Sequence, residues 1–205
     1  MGKITEISPQ AKDKTRVNVY IEGKFACGLS LETAVKHRLK AGTEIDDARL
    51  REIEFDSEKQ AALEKAAAHI SKSAKTAREL ALFLSRKGYG EAVVSFILEK
   101  FSQYGYIDDG AYARAYVSAH GKKKGARLMK AELRAKGVAD EDIAAAFAEA
   151  PSAESAAKTV AEKYMRGKGR EPKDIQKLYR HLLSKGFSWE EAASAAEEYK
   201  SPQED

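Results

Sequence analysis

The chain has 205 residues, 33% of them charged and 43% hydrophobic, with a net charge of +4. That balance suits a soluble, ordered, helix-rich protein rather than a disordered one, and no run of roughly 18 apolar residues offers a membrane helix. The opening MGKITEIS lacks an apolar signal core, and Cys27 is the only cysteine. These two features predict no export, exclude an internal disulfide or cysteine-built zinc site, and fit a reducing cytoplasm.

The first 57 residues have a strand period. KITEIS reads as a strand. In RVNVYIEGKFACGL, Val17, Val19 and Ile21 alternate with polar residues, and Phe25, Cys27 and Leu29 do so again after Glu22-Gly23. This predicts a β-hairpin with one apolar face. A short helix is expected from Ser30 to His37, an extended piece at 43–45, and a second short helix over DDARLREIEF. The result is a small α/β module over 1–57, whose core is slight unless it packs on the helical region after it.

From Ser57 onward the pattern is helical. Ser57 with Gln60, Thr76 with Glu79, and Ser188 with Glu191 have capping-box spacing. Faces with i, i+3, i+4, i+7 spacing include Val94, Ile97, Leu98 and Phe101, and Ile175, Leu178, Tyr179 and Leu182. About nine helices are expected, at 58–71, 76–87, 90–104, 109–120, 125–136, 140–149, 152–165, 173–185 and 188–199. Candidate linkers are GKKKG at 121–125, EAPS at 149–152 and RGKGREP at 166–172, and SPQED at 201–205 reads as a frayed tail.

One local motif recurs. Lys-Gly stands at 87–88, 136–137 and 185–186, an interval of 49 each time, with a leucine four residues before each glycine and Tyr89, Val138 or Phe187 after it. Glycine accepts the left-handed conformation that closes a helix, lysine suits the negative end of the helix dipole, and the apolar residue beyond folds back on the leucine. Three motifs separated by two equal intervals predict an internal repeat of three helices, over 58–107, 108–150 and 151–200, with the motif closing the middle helix of each trio. The expected fold is therefore mainly α: three tandem three-helix repeats preceded by the α/β module.

The motifs of enzymes are missing. There is no GxxxxGK[ST], HExxH, GxSxG or paired CxxC. His37, His69, His120 and His181 fall on different elements and read as surface or boundary residues. Cys27 reads as packing. Asp108-Asp109 is the best acidic pair, but without a third ligand it reads as a helix cap.

The basic residues are unevenly placed. Residues 58–150 hold 16 basic and 12 acidic side chains, whereas the flanking segments are balanced. Lys122, Lys123 and Lys124 occupy the glycine-flanked loop, Arg127, Lys130 and Arg134 follow at helical spacing, and Lys136 ends that helix. In the first repeat Lys72, Lys75 and Arg78 surround the start of the middle helix, and Arg86 and Lys87 its end. A comparable run in the third repeat includes Arg166, Lys168, Arg170, Lys173, Lys177 and Arg180. Such cations contact phosphates without reading sequence, although a solvated face has the same composition.

TARELALFLSRKGY at 76–89, YGYIDDGAYARAYV at 104–117 and KGARLMKAELRAKGV at 124–138 resemble the RecX family, bacterial regulators of the recombinase RecA. The N-terminal hairpin looks like an extension found in some members. The sequence departs from the family at KSAKT, 72–76, where Lys72 and Lys75 keep charge but lack a guanidinium fork. The resemblance implies three tandem three-helix repeats and binding to the RecA–ssDNA filament. It also implies modulation, in the first place inhibition, of the ATPase, recombinase and coprotease activities that serve homologous recombination, DNA repair and the SOS response. It implies no catalysis and no cofactor. The candidate contacts are Lys72, Lys75, Arg78, Arg86, Lys87, Lys122, Lys123, Lys124, Arg127, Lys130, Arg134 and Lys136. A monomer is expected. The alternative is a sequence-neutral DNA-binding protein that acts on the phosphate backbone without RecA.

Overall fold

A computed structural model of the protein describes residues 1–148 and 153–200. The linker expected at 149–152, the last residue of the helix expected at 140–149, and the tail at 201–205 lie outside the described residues. Packing divides the chain into two compact units, residues 1–73 with 80–106, and residues 74–79 with the chain from 107 onward.

The first unit begins with a four-stranded antiparallel sheet of order β3-β2-β1-β4: β1 (Gly2–Pro9), β2 (Arg16–Ile21), β3 (Lys24–Ser30) and β4 (Glu44–Ile45). The hairpin forms as its alternation predicts. Val17 pairs with Leu29 and Val19 with Cys27, which puts all four on one buried face. Glu22 and Gly23 take positive φ values of 49° and 74°, the two-residue turn that matches strand twist. A short helix α1 (Leu31–Lys36) follows, capped by Ser30.

The next helix departs from expectation. The short helix over DDARLREIEF and the helix at 58–71 are one element, α2 (Asp47–Ile70), 24 residues long. No glycine or proline interrupts 47–70, so nothing stops the helix there. Ser57 does not cap it. Ser57 is buried, and its hydroxyl accepts the Ser30 backbone N–H at 2.8 Å. A tertiary donor captures the hydroxyl that local spacing assigns to a helix start. The sheet packs on α2 around Ile4, Val19, Leu29 and Ile53. Farther along, α2 packs on α4 (Glu91–Gln103), which follows α3 (Ala77–Arg86).

The second unit holds two trios. In α5 (Asp109–His120), α6 (Ala126–Ala135) and α7 (Asp140–Ala148), a core forms around Ala113, Val117, Leu133, Val138 and Ile143. In α8 (Ala153–Met165), α9 (Pro172–Ser184) and α10 (Trp189–Glu197), it forms around Ala157, Ala161, Leu178, Leu182 and Phe187. The protein is thus mainly α, with repeated three-helix domains behind a small sheet.

Candidate functional site

The Lys-Gly turns have one geometry. Gly88, Gly137 and Gly186 have φ of 90°, 87° and 87°. After each, an N–H returns to the carbonyl of the leucine: Tyr89 to Leu84 at 3.3 Å, Val138 to Leu133 at 3.1 Å, Phe187 to Leu182 at 3.2 Å. This is the helix-closing bond that the motif predicts.

Two of the turns do more than close a helix. At the second, the Thr76 hydroxyl, just before α3, donates to the Lys136 carbonyl at 2.7 Å. A methyl group added at Gly137 would collide with the stem of Arg78. At the third, Gly125, just before α6, donates its N–H to the Lys185 carbonyl at 2.9 Å, and Arg127 N–H donates to the Gly186 carbonyl at 3.1 Å. Gly125 is buried so tightly that a side chain there would meet the backbone of Gly186 and Phe187. Thr76 and Gly125 are 49 apart, like the turns they meet. The start of one middle helix is therefore docked on the end of the next. The remaining turn glycine, Gly88, has no atom of the described residues within 4 Å of where a side chain would begin.

The candidate cations separate into two groups around these joints. Three hold ion pairs. Lys124 lies against Glu132, with Nζ at 2.6 Å from Oε1, and against the Tyr116 hydroxyl at 3.1 Å. The Glu132 bond, which outweighs burial, raises the Lys124 pKa. Lys136 pairs with Glu79 across 57 positions of sequence, and its ammonium stands over the Tyr112 ring. Arg134 Nε reaches Asp140 at 2.7 Å. Lys130 stands 5.1 Å over the Phe147 ring and Lys87 5.8 Å over Phe83.

Most of the others face solvent. Lys72, Arg78, Arg86, Lys122, Lys123 and Arg127 are exposed or partly exposed and hold no ion pair among the described residues, while Lys75 is half-buried and engaged. Arg78 and Arg127 occupy equivalent places, 49 apart, each at the docked start of a middle helix.

The aspartate pair is divided between two helices. Asp108 caps its own helix by accepting Ala111 N–H at 2.7 Å, whereas Asp109 accepts Ala77 N–H at 2.9 Å from the start of α3. Burial, with Asp142 and Asp108 nearby, pushes the Asp109 pKa up. The capping expectation thus extends to a second helix. Each histidine sits against a partner: His37 Nε2 lies 3.0 Å from Asp56, and His69, His120 and His181 lie on Phe83, Tyr116 and Tyr164. Among the described residues no group of three or more His, Cys, Asp or Glu is arranged to hold a metal. Cys27 is buried, and that burial pushes its pKa up to about 12.

Sequence reading missed Thr76 and Gly125 as docking residues, and Glu79, Glu132 and Tyr116 as the partners of basic side chains. The signal for the first pair was present, since both precede Ala-Arg and share the 49-residue interval. The partners of Lys124 and Lys136 lie 8 and 57 positions away, beyond any local period.

Comparison with known proteins gives a consistent picture. The family profile described as "Regulatory protein RecX N-terminal domain" matches residues 2–46. "RecX, second three-helix domain" matches 108–146, and "RecX, third three-helix domain" matches 153–195. The regulatory protein RecX of Bacillus pumilus is 33% identical over 100% of this chain and 80% of its own length. That of Clostridium tetani is 31% identical over 95% of this chain and 93% of its own. A crystal structure of a regulatory protein RecX superposes with a TM-score of 0.67 and 29% identity, covering 95% of this chain and 98% of the other.

Proposed function

We propose, from the premise that the chain belongs to the RecX regulatory protein family, that it regulates RecA by binding the RecA–DNA filament and lowering its ATPase, recombinase and coprotease activities. The observation that supports this reading is a pair of equivalent arginines that hold no ion pair among the described residues, Arg78 and Arg127, each set at the docked start of a middle helix. A periodic protein that repeats one cation at a fixed interval suits a target that is itself periodic and anionic.

On this reading Lys72, Arg78, Arg86, Lys87, Lys122, Lys123 and Arg127 meet the filament, with Lys75 and Lys130 beside them. Lys124, Arg134 and Lys136 hold helices in place. Binding one filament state better than another would shift its assembly or hydrolysis equilibrium. The protein acts in the cytoplasm as a monomer, by binding alone and without a cofactor.

The test is the DNA-dependent ATPase of the cognate RecA, titrated with this protein, with naked single-stranded DNA binding measured beside it. Inhibition at concentrations that barely bind naked DNA is the expected result. The folded triple variant Lys122→Glu, Lys123→Glu, Arg127→Glu should weaken inhibition by roughly tenfold or more. Undiminished inhibition by that variant would remove these residues from the contact. Steeply salt-dependent binding to naked DNA with no effect on RecA would replace the reading with direct phosphate binding.

A further inference from the structure

We propose that the N-terminal sheet carries a docking surface for an extended peptide segment of a partner protein, one in which apolar residues are interleaved with acidic ones. The segment would add to the open edge of β1 and place its apolar side chains in the hollow beside α1. This inference stands independently of the RecA reading, because it rests on a different part of the chain.

The first observation is an unfilled strand edge. β1 runs for eight residues, Gly2–Pro9, but among the described residues its outer side is covered only near its start: β4 pairs with Gly2 and Lys3, and Ile4 exchanges backbone bonds with Thr43 and Gly42. Among the described residues no strand pairs with Glu6, Ile7 or Ser8 on that side. An uncovered edge presents backbone donors and acceptors to any extended chain.

The second observation is a hollow of about 500 Å³ bordering that edge. Ile7 of β1 lines it together with Leu31, Val35 and Leu39. Leu31 is 47% exposed and Val35 68% exposed, although both belong to a helix whose other side, at Ala34, is buried. Ile7 links edge and hollow, so a strand added to β1 lies alongside an apolar depression. Alternate side chains of such a strand point to the same side, which fits apolar residues at every second position.

The third observation selects the charge of the occupant. The two charged residues lining the hollow are both cations, Arg38 and Lys40, and neither holds an ion pair among the described residues. Arg38 has φ of 52°, in the left-handed region that non-glycine residues rarely occupy. Its N–H bonds to the Val35 carbonyl and the Leu39 N–H to the Ala34 carbonyl, both at 2.9 Å. The turn therefore holds the Arg38 backbone beside the hollow at some conformational cost, with its side chain exposed. Carboxylates flanking the apolar residues of the segment would meet Arg38 and Lys40 there.

The test uses the full-length ¹⁵N-labelled protein. The probe is an end-capped eight-residue peptide alternating glutamate with leucine, and the control alternates lysine with leucine. Amide shifts confined to β1 and to residues 31–41 are expected with the acidic peptide and not with the basic one. Raising salt to about 0.5 M should weaken them severalfold. Val35→Asp, at an exposed site that leaves the core intact, should weaken binding at least tenfold, and Lys40→Glu should weaken it as well. No shifts with the acidic peptide, shifts elsewhere, or equal binding of both peptides would overturn the proposal. So would a dimer in sedimentation that Val35→Asp dissolves, since the hollow would then cover a second copy of this chain.

Discussion

Lys136, the residue that ends α6, forms an ion pair with Glu79 in the first turn of α3, and the neighbouring Thr76 hydroxyl bonds the Lys136 carbonyl. Side chain and backbone of one residue thus hold a helix that begins about 60 positions earlier. Both charged side chains are less than a third exposed, at 32% and 29%. Removing one leaves the other partly desolvated, so Lys136→Met should lower stability by about 1–2 kcal/mol. Arg134→Ala removes a pair that is mostly exposed and should cost less than about 0.5 kcal/mol. Urea unfolding of the two variants at pH 7 measures the difference.

The same pair has a pH signature. Burial alone would raise the Glu79 carboxyl, but the Lys136 ammonium and the Thr76 N–H outweigh it and hold the pKa below its ordinary 4.5. A carboxylate lowered by folding contributes stability above its unfolded value and loses it as pH falls through its folded one. The advantage of the wild type over Glu79→Gln should therefore be full above about pH 4.5 and shrink below it. Urea midpoints from pH 7 to pH 3 test this. A constant difference across that range would show that Glu79 acts by shape rather than by charge.

Glycine variants separate the two jobs of the repeated turn. At Gly88 the left-handed backbone opposes a side chain and no described residue crowds it, so Gly88→Ala should cost about 1–2 kcal/mol. Gly186 has the same φ but also lies against the backbone of Leu128, so Gly186→Ala should cost more, by about 1–3 kcal/mol. Gly125 has ordinary φ and a purely steric restriction from Gly186 and Phe187. Thermal melts should rank Gly88→Ala as the mildest of the three. Equal losses at Gly88 and Gly186 would mean that the docking contributes nothing.

Cys27 should be slow to react. Its buried thiol has a pKa pushed up to about 12, so almost no thiolate exists at pH 8. Labelling with a disulfide reagent should follow unfolding, speeding up strongly in urea. Rapid labelling of the native protein would show that the hairpin face opens without global unfolding.

The sequence was most informative where physics is local. Alternation in Val17, Val19, Cys27 and Leu29 specified the hairpin, and Lys-Gly with its preceding leucine specified three identical helix ends. It was least informative where a side chain answers to a distant partner. The Ser57 hydroxyl reads as a cap by spacing, yet it accepts an N–H from Ser30, so two expected helices are one. The run of Lys122, Lys123 and Lys124 looks uniform, yet the third is bound to Glu132 and Tyr116 while the first two face solvent. No local period carries such distinctions, because the partners are brought together only by the packing of helices.

The joint between middle helices bears on how such a chain can change over evolutionary time. Its receiving side is largely main-chain carbonyls, those of Lys136, Lys185 and Gly186, and its entering side is a threonine in one case and a glycine in the other. Contacts of that kind tolerate drift in most side chains. A gene could therefore gain or lose a whole block between two Lys-Gly turns and still join the remaining helices. A single-codon insertion inside α6 would displace Gly125 from Lys136 and strain both joints at once.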